Sequence, residues 1–190
     1  MKSLLIIFAT VLSFNCAWAV DVAGVKFGDN ATVGGGTLVV NGAGLRKKAF
    51  FKVYAMALYL PEKQGDVLAV LGSKGAKRIG MSLLRDLSAQ QLVDALHEGF
   101  ADNLAAAEMT ALAPRIKAFA ALMLTLGEAK SGTLILIDSI PNIGTRLTVN
   151  GQVVGTEIRG DDFYPALLKI WLGNKPIEND LKQALLGQPG

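Results

Sequence analysis

Cysteine is nearly absent from this 190-residue chain, which holds one, Cys16. A single cysteine excludes an internal disulfide and every paired-cysteine redox or zinc motif. Histidine is as scarce, with His97 alone. A zinc site or a Ser-His-Asp triad needs more than these residues offer. Charge of one sign is lacking too: 19 Lys and Arg face 16 Asp and Glu, for a net +3. That balance gives no reason to expect a nucleic-acid partner, and no basic cluster exceeds Arg46-Lys47-Lys48. The glycines at 34–36 and at 42 and 44 do not open a helix after a strand. They read as turn glycines, not as a phosphate cradle, so no nucleotide cofactor is expected, and no metal either.

No apolar run reaches the ~20 residues of a spanning helix. The nearest approach is at the N-terminus. Lys2 supplies a positive n-region, Leu4 to Leu12 an apolar h-region, and Ala17-Trp18-Ala19 a small-x-small cleavage site. This is the pattern of a cleavable signal peptide over 1–19. Cys16 is not preceded by the small residue that a lipid-attachment site wants. The expectation is an exported protein, periplasmic or secreted, with no retained anchor and one cysteine-free domain over 20–190.

That domain divides into strand-like, helix-like and strand-like thirds. Gly34-Gly35-Gly36 precede Thr37-Leu38-Val39-Val40, and Asn41-Gly42 then signals a hairpin turn because both residues tolerate positive φ. Phe50 to Leu60 is a strand apolar on both faces: Phe51, Val53, Ala55, Ala57 and Tyr59 point one way, Tyr54, Met56, Leu58 and Leu60 the other. Lys77 to Leu84 reads as another strand. Ser88 with Gln91 forms a capping box before a helix carrying Leu92, Val93, Leu96, Phe100 and Leu104, predicted to reach about Leu112. Pro114 is placed at the start of the next helix, which Gly127 would end. Thr133 to Ile140 is a strand, and Asn150-Gly151 marks a hairpin to Val153–Ile158. Asp161-Asp162 cap a helix carrying Phe163, Leu167, Ile170 and Trp171. A short helix from Asp180 to Leu186 closes the chain. The order predicts an α+β fold: an open-faced antiparallel sheet with a layer of helices on one face.

His97 lies between core positions and reads as a boundary histidine with a local partner. One segment carries more chemistry. Arg46 ends one strand-like run, and the next holds two phenols, Tyr54 and Tyr59. A guanidinium can take a carboxylate bidentately, each phenol can donate a hydrogen bond, and apolar neighbours could receive the rest of an elongated ligand. A surface arginine beside two core tyrosines fits the same spacing.

The Gly42-x-Gly44-x-Arg46 segment, followed by Lys52, Tyr59 and Leu60 on the next strand, resembles the chalcone isomerase superfamily. Arg85-Asp86-Leu87-Ser88 with its helix, and Phe163 to Leu186 with Trp171-Leu172-Gly173 and Asp180-Leu181-Lys182, resemble later parts of that family. The likeness covers most of 22–187 and is nearest to its exported bacterial branch. It implies one of two roles. The plant enzymes are isomerases of the intramolecular lyase type, closing a chalcone into a flavanone. An arginine that matches Arg46 holds the developing charge, with hydroxyl residues helping. Here Tyr54 stands where that family has a threonine, and Ile170, which cannot donate, falls near the C-terminal hydroxyl position. Other members bind fatty acids through an arginine and a tyrosine, matching Arg46 and Tyr59. With two hydroxyls altered, the resemblance implies a non-catalytic binder of a small amphipathic or aromatic acid, with Arg46, Tyr54 and Tyr59 as its ligand-binding residues. An isomerase is the alternative, and a module for protein partners the third.

Overall fold

A computed structural model describes residues 20–188; the expected signal peptide lies outside the described residues. The elements, in chain order, are β1 (Val20–Val22), β2 (Val25–Phe27), β3 (Asn30–Val33), β4 (Gly36–Lys48), β5 (Phe51–Leu60), α1 (Val67–Gly72), β6 (Lys77–Leu83), β7 (Leu87–Ser88), α2 (Ala89–Asn103) and α3 (Ala106–Leu124). There follow β8 (Glu128–Ala129), β9 (Leu134–Ile140), β10 (Gly144–Val149), β11 (Gln152–Val153), α4 (Phe163–Leu172) and α5 (Asn179–Leu185).

Seven strands form one antiparallel sheet in the order β11-β10-β9-β6-β5-β4-β3. Its two faces are unequal. The helices cover one, burying Met56, Leu58, Ile79, Leu83, Ile135 and Ile137 against Phe100, Phe119, Phe163 and Leu167. The β1–β2 hairpin lies over the other, where Phe27, Val40, Ala55, Ala57 and Tyr59 form a smaller cluster. β5 serves both clusters, so it is apolar on both sides.

Two helix starts are capped as their local chemistry dictates, α1 by Asp66 and α2 by Ser88. Ser88 accepts from the Gln91 backbone, and Gln91 accepts from the Ser88 backbone, closing the expected capping box. α4 is buried along almost its whole length, which is why its sequence is apolar nearly all round.

Five expectations are corrected. Asn41-Gly42 is not a turn but lies inside the 13-residue β4, at a shift in register between Val40 and Gly42. The turn into β5 falls at Ala49-Phe50, with Ala49 at φ 54°. The cause is tertiary: α5 crosses β4 closely. A Cβ on Gly42 would overlap the Ala184 carbonyl oxygen, and one on Gly44 would stand 2.7 Å from the Ala184 Cβ. These glycines admit a helix rather than turn the chain. Asn41 fastens the crossing, donating to the Gln64 and Leu185 carbonyls at 2.9 and 2.7 Å and accepting from the Gln64 backbone.

The first long helix stops at Asn103 rather than near Leu112. The Asn103 side chain bonds the Gly99 and Lys175 carbonyls and the Lys175 N–H, fixing the chain where it breaks. Pro114 therefore falls inside α3, on its exposed side, while Leu112, Ile116, Phe119 and Ala120 keep the buried stripe. Asp162 precedes α4 without a side-chain cap and pairs with Arg115 instead. His97 is exposed on α2, not at the core boundary. Gly34-Gly35 and Asn150-Gly151 do form hairpin turns, all four residues at positive φ.

Candidate functional site

β4 and β5 pair so that Arg46 stands opposite Tyr54. Cross-strand partners hold their Cβ atoms ~5 Å apart, so the two side chains leave the sheet side by side, near enough for the Arg46 charge to act on the phenol. Arg46 Nη1 meets Glu178 Oε2 at 3.2 Å and also donates to the Lys47 carbonyl. The same Glu178 oxygen accepts from the Lys47 backbone N–H at 2.7 Å. Glu178 immediately precedes α5, so this pair joins the start of the last helix to the end of β4. Both side chains are 16% exposed. Water therefore still reaches the pair, and its net strength is modest.

Tyr54 is buried, with 6% of its surface exposed. Its hydroxyl accepts from Trp171 Nε1 at 2.9 Å. Among the described residues no acceptor takes the phenol's own proton. Burial pushes its pKa up to about 12, against smaller downward effects of the Trp171 hydrogen bond and the Arg46 charge. At neutral pH Tyr54 is a protonated donor.

Tyr54 and Trp171 stand in the wall of a cavity of about 80 Å³ between sheet and helices. Met81, Ile135 and Ile137 line it from the strands, and Leu96, Met123 and Ile170 are among the helical residues that complete it. Among the described residues that line it, only Tyr54 and Trp171 carry a polar side-chain group. Arg46 is not part of the wall; it lies across the strand pair from Tyr54. Ile170 lines the cavity, so the position near the family's C-terminal hydroxyl presents only carbon.

Tyr59 is elsewhere. It sits on the opposite face of the sheet with Phe27, Val40 and Ala57, and burial raises its pKa there. The structure thus brings Arg46 and Tyr54 together and separates Tyr59 from both. Strand alternation is the reason: residues 54 and 59 differ by an odd number, so they point to opposite faces. Trp171 and Glu178 belong to the arrangement but were not singled out as site residues from the sequence. Their only local signal is a tryptophan near the end of a mostly apolar helix and a glutamate before a helix start.

Arg78 binds Asp138 through two hydrogen bonds of 2.6 and 2.7 Å across β6 and β9. Among the described residues, no group of three or more His, Cys, Asp or Glu could hold a metal ion. No described helix is long and apolar enough to cross a membrane.

A family model described as chalcone isomerase-like matches residues 19–187. The chain belongs to the chalcone isomerase-like family. Its fold is similar to that of a fatty-acid binding protein from Arabidopsis thaliana, known from a crystal structure. The TM-score is 0.67 and the identity 14%, over 86% of this chain and 92% of that one. At that identity the likeness is one of fold. No curated protein matches this chain in sequence.

Proposed function

We propose that this protein binds a small amphipathic acid, such as a fatty acid, without catalysing a reaction on it. The carboxylate is held at Arg46 and Tyr54, and the apolar tail enters the cavity between sheet and helices. The observation that carries this reading is Tyr54. It is a buried phenol on an apolar cavity wall, its proton is unspent among the described residues, and a guanidinium stands on the paired strand. A buried donor left without an acceptor costs roughly 1–3 kcal/mol, and a ligand oxygen at that point relieves it. The fatty-acid binding role of the Arabidopsis neighbour supports the same reading, since the two share a fold.

At about 80 Å³ the cavity is smaller than the ~150 Å³ that accepts benzene in an engineered apolar cavity. Occupation by a chain therefore requires the wall to yield. Met81 and Met123 supply flexible side chains there. The isomerase reading asks for several preorganised donors around one developing oxyanion. Here Ile170 supplies none, and Tyr54 shares its oxygen with Trp171. Tyr59, on the other face, is left to the smaller core. The signal-peptide pattern of residues 1–19 supports export, and we place the protein in the periplasm or outside the cell.

Calorimetric titration with a series of fatty acids tests the binding. A bound acid is expected to lose roughly 10- to 100-fold in affinity in Arg46→Ala, the range of one charge-assisted hydrogen bond. Unchanged affinity would overturn the assignment of Arg46. Turnover of a chalcone that vanishes in the same variant would replace it with the isomerase.

A further inference from the structure

The turn between β4 and β5 carries a feature that the cavity does not explain. Phe50 is 86% exposed and Phe51 52% exposed, and their rings lie 4.7 Å apart. They are the largest exposed apolar side chains among the described residues, and they sit at the tip of the longest hairpin. A surface of this kind usually marks an interaction site.

Among the described residues, the unpaired charges around them are of one sign. Lys47, Lys48 and Lys52 flank the tip, and the Arg85 guanidinium lies 5.2 Å from the centre of the Phe51 ring. All four cations are exposed, and none is in an ion pair among the described residues. The carboxylates within reach are already engaged: Glu178 by Arg46 and the Lys47 N–H, Asp86 by Lys130 and the Ser131 N–H. Lys47 and Lys52 are direct partners across the ladder. Like charges placed so destabilise a strand pair, and among the described residues no carboxylate pairs with either ammonium.

Two adjacent phenylalanines ringed by unpaired cations match the chemistry of an anionic bilayer surface. The rings suit the headgroup–acyl boundary, and the cations suit the acidic headgroups. We infer that the β4–β5 tip docks this protein on membranes rich in anionic lipid. Docking there holds Arg46 and Tyr54, the next paired residues inward along the same two strands, close to the lipid interface. The inference does not depend on what the cavity binds.

Co-sedimentation of the purified protein with vesicles tests it, using equimolar phosphatidylglycerol and phosphatidylcholine against phosphatidylcholine alone. Binding is expected to the anionic vesicles only, and to weaken as salt is raised. Replacing Lys47, Lys48 and Lys52 together by Gln should weaken it roughly 100-fold, at about fivefold for each cation near an anionic surface. Phe50→Ser with Phe51→Ser should weaken it at least about tenfold while leaving the fold intact, since both side chains are exposed. A separate Phe50→Trp variant should show blue-shifted emission on anionic vesicles. Binding that is equal on both vesicle types, is unchanged in these variants, or is absent altogether would overturn the inference. Absence would also leave the tip to a protein contact.

Discussion

Trp171 donates its indole N–H to the hydroxyl of Tyr54 at 2.9 Å, across 117 residues of sequence. Both residues are 6% exposed. The bond ties α4 to β5 at the cavity wall and holds the phenol oxygen in place beside Arg46. Its asymmetry makes it testable. Tyr54→Phe leaves a buried indole N–H without its acceptor and should destabilise the protein by roughly 1–3 kcal/mol. Trp171→Phe removes that donor together with part of the core. A double-mutant cycle read by urea denaturation should give a coupling near 1 kcal/mol. A coupling of zero would mean the bond is not formed.

Alkaline pH provides a second test of the same residue. The folded Tyr54 pKa is about 12, above the ~10 of an unfolded phenol. Below about pH 10 both states hold the proton, and the favourable burial of the neutral phenol is complete. Between those values the unfolded chain has released the proton and the native state has not. Stability therefore falls as pH rises, by about 1.4 kcal/mol per pH unit from this group. Tyr164, also raised by burial, acts in the same direction. Tyr54→Phe should remove its own share, making the decline between pH 10 and 12 shallower by that slope. An identical pH dependence in both proteins would contradict the burial of this phenol.

Glu178 competes with any acid for Arg46. If a ligand carboxylate takes the guanidinium, Glu178 must release it. Glu178→Gln should strengthen binding of a fatty acid, by up to about fivefold, because an ion pair that water still reaches contributes no more than ~1 kcal/mol. Titration of both proteins with the same acid reads this directly. Weaker binding in the variant would mean that Glu178 orients Arg46 rather than blocks it.

Gly42 tests the crossing that supports the site. Its missing side chain is what lets α5 lie on β4, with the Ala184 backbone in the way of any Cβ. Gly42→Ala should cost about 3 kcal/mol, because backbone must move. Gly44→Ala, which meets the side chains of Ala184 and Leu181, should cost roughly 1–2 kcal/mol. Thermal denaturation ranks the two, and a neutral Gly42→Ala would refute the close approach.

The parts of this fold legible in the sequence are those fixed within a few residues. The Ser88–Gln91 capping box and the Asn150-Gly151 hairpin involve only neighbours, and each forms as its local chemistry dictates. Asn41-Gly42 carries the same local turn signal, yet it lies in a strand, because α5, some 140 residues later, needs the space and Asn41 is fastened to Leu185. Pro114 carries a helix-start signal and is overruled by an apolar stripe that continues through it. In the site, Arg46 and Tyr54 were visible as a cation and a phenol on successive strands. That Tyr59 leaves them follows from alternation, which the sequence already contained. Trp171 and Glu178 were out of reach, because only the return of α4 and α5 onto the sheet brings them to Tyr54 and Arg46.

The most direct measurement is native mass spectrometry of the protein purified from its own host, with gentle extraction of whatever accompanies it. The account predicts a stoichiometric amphipathic acid that is lost in Arg46→Ala. A protein that carries no such mass, and gains none when fatty acids are added, would contradict it.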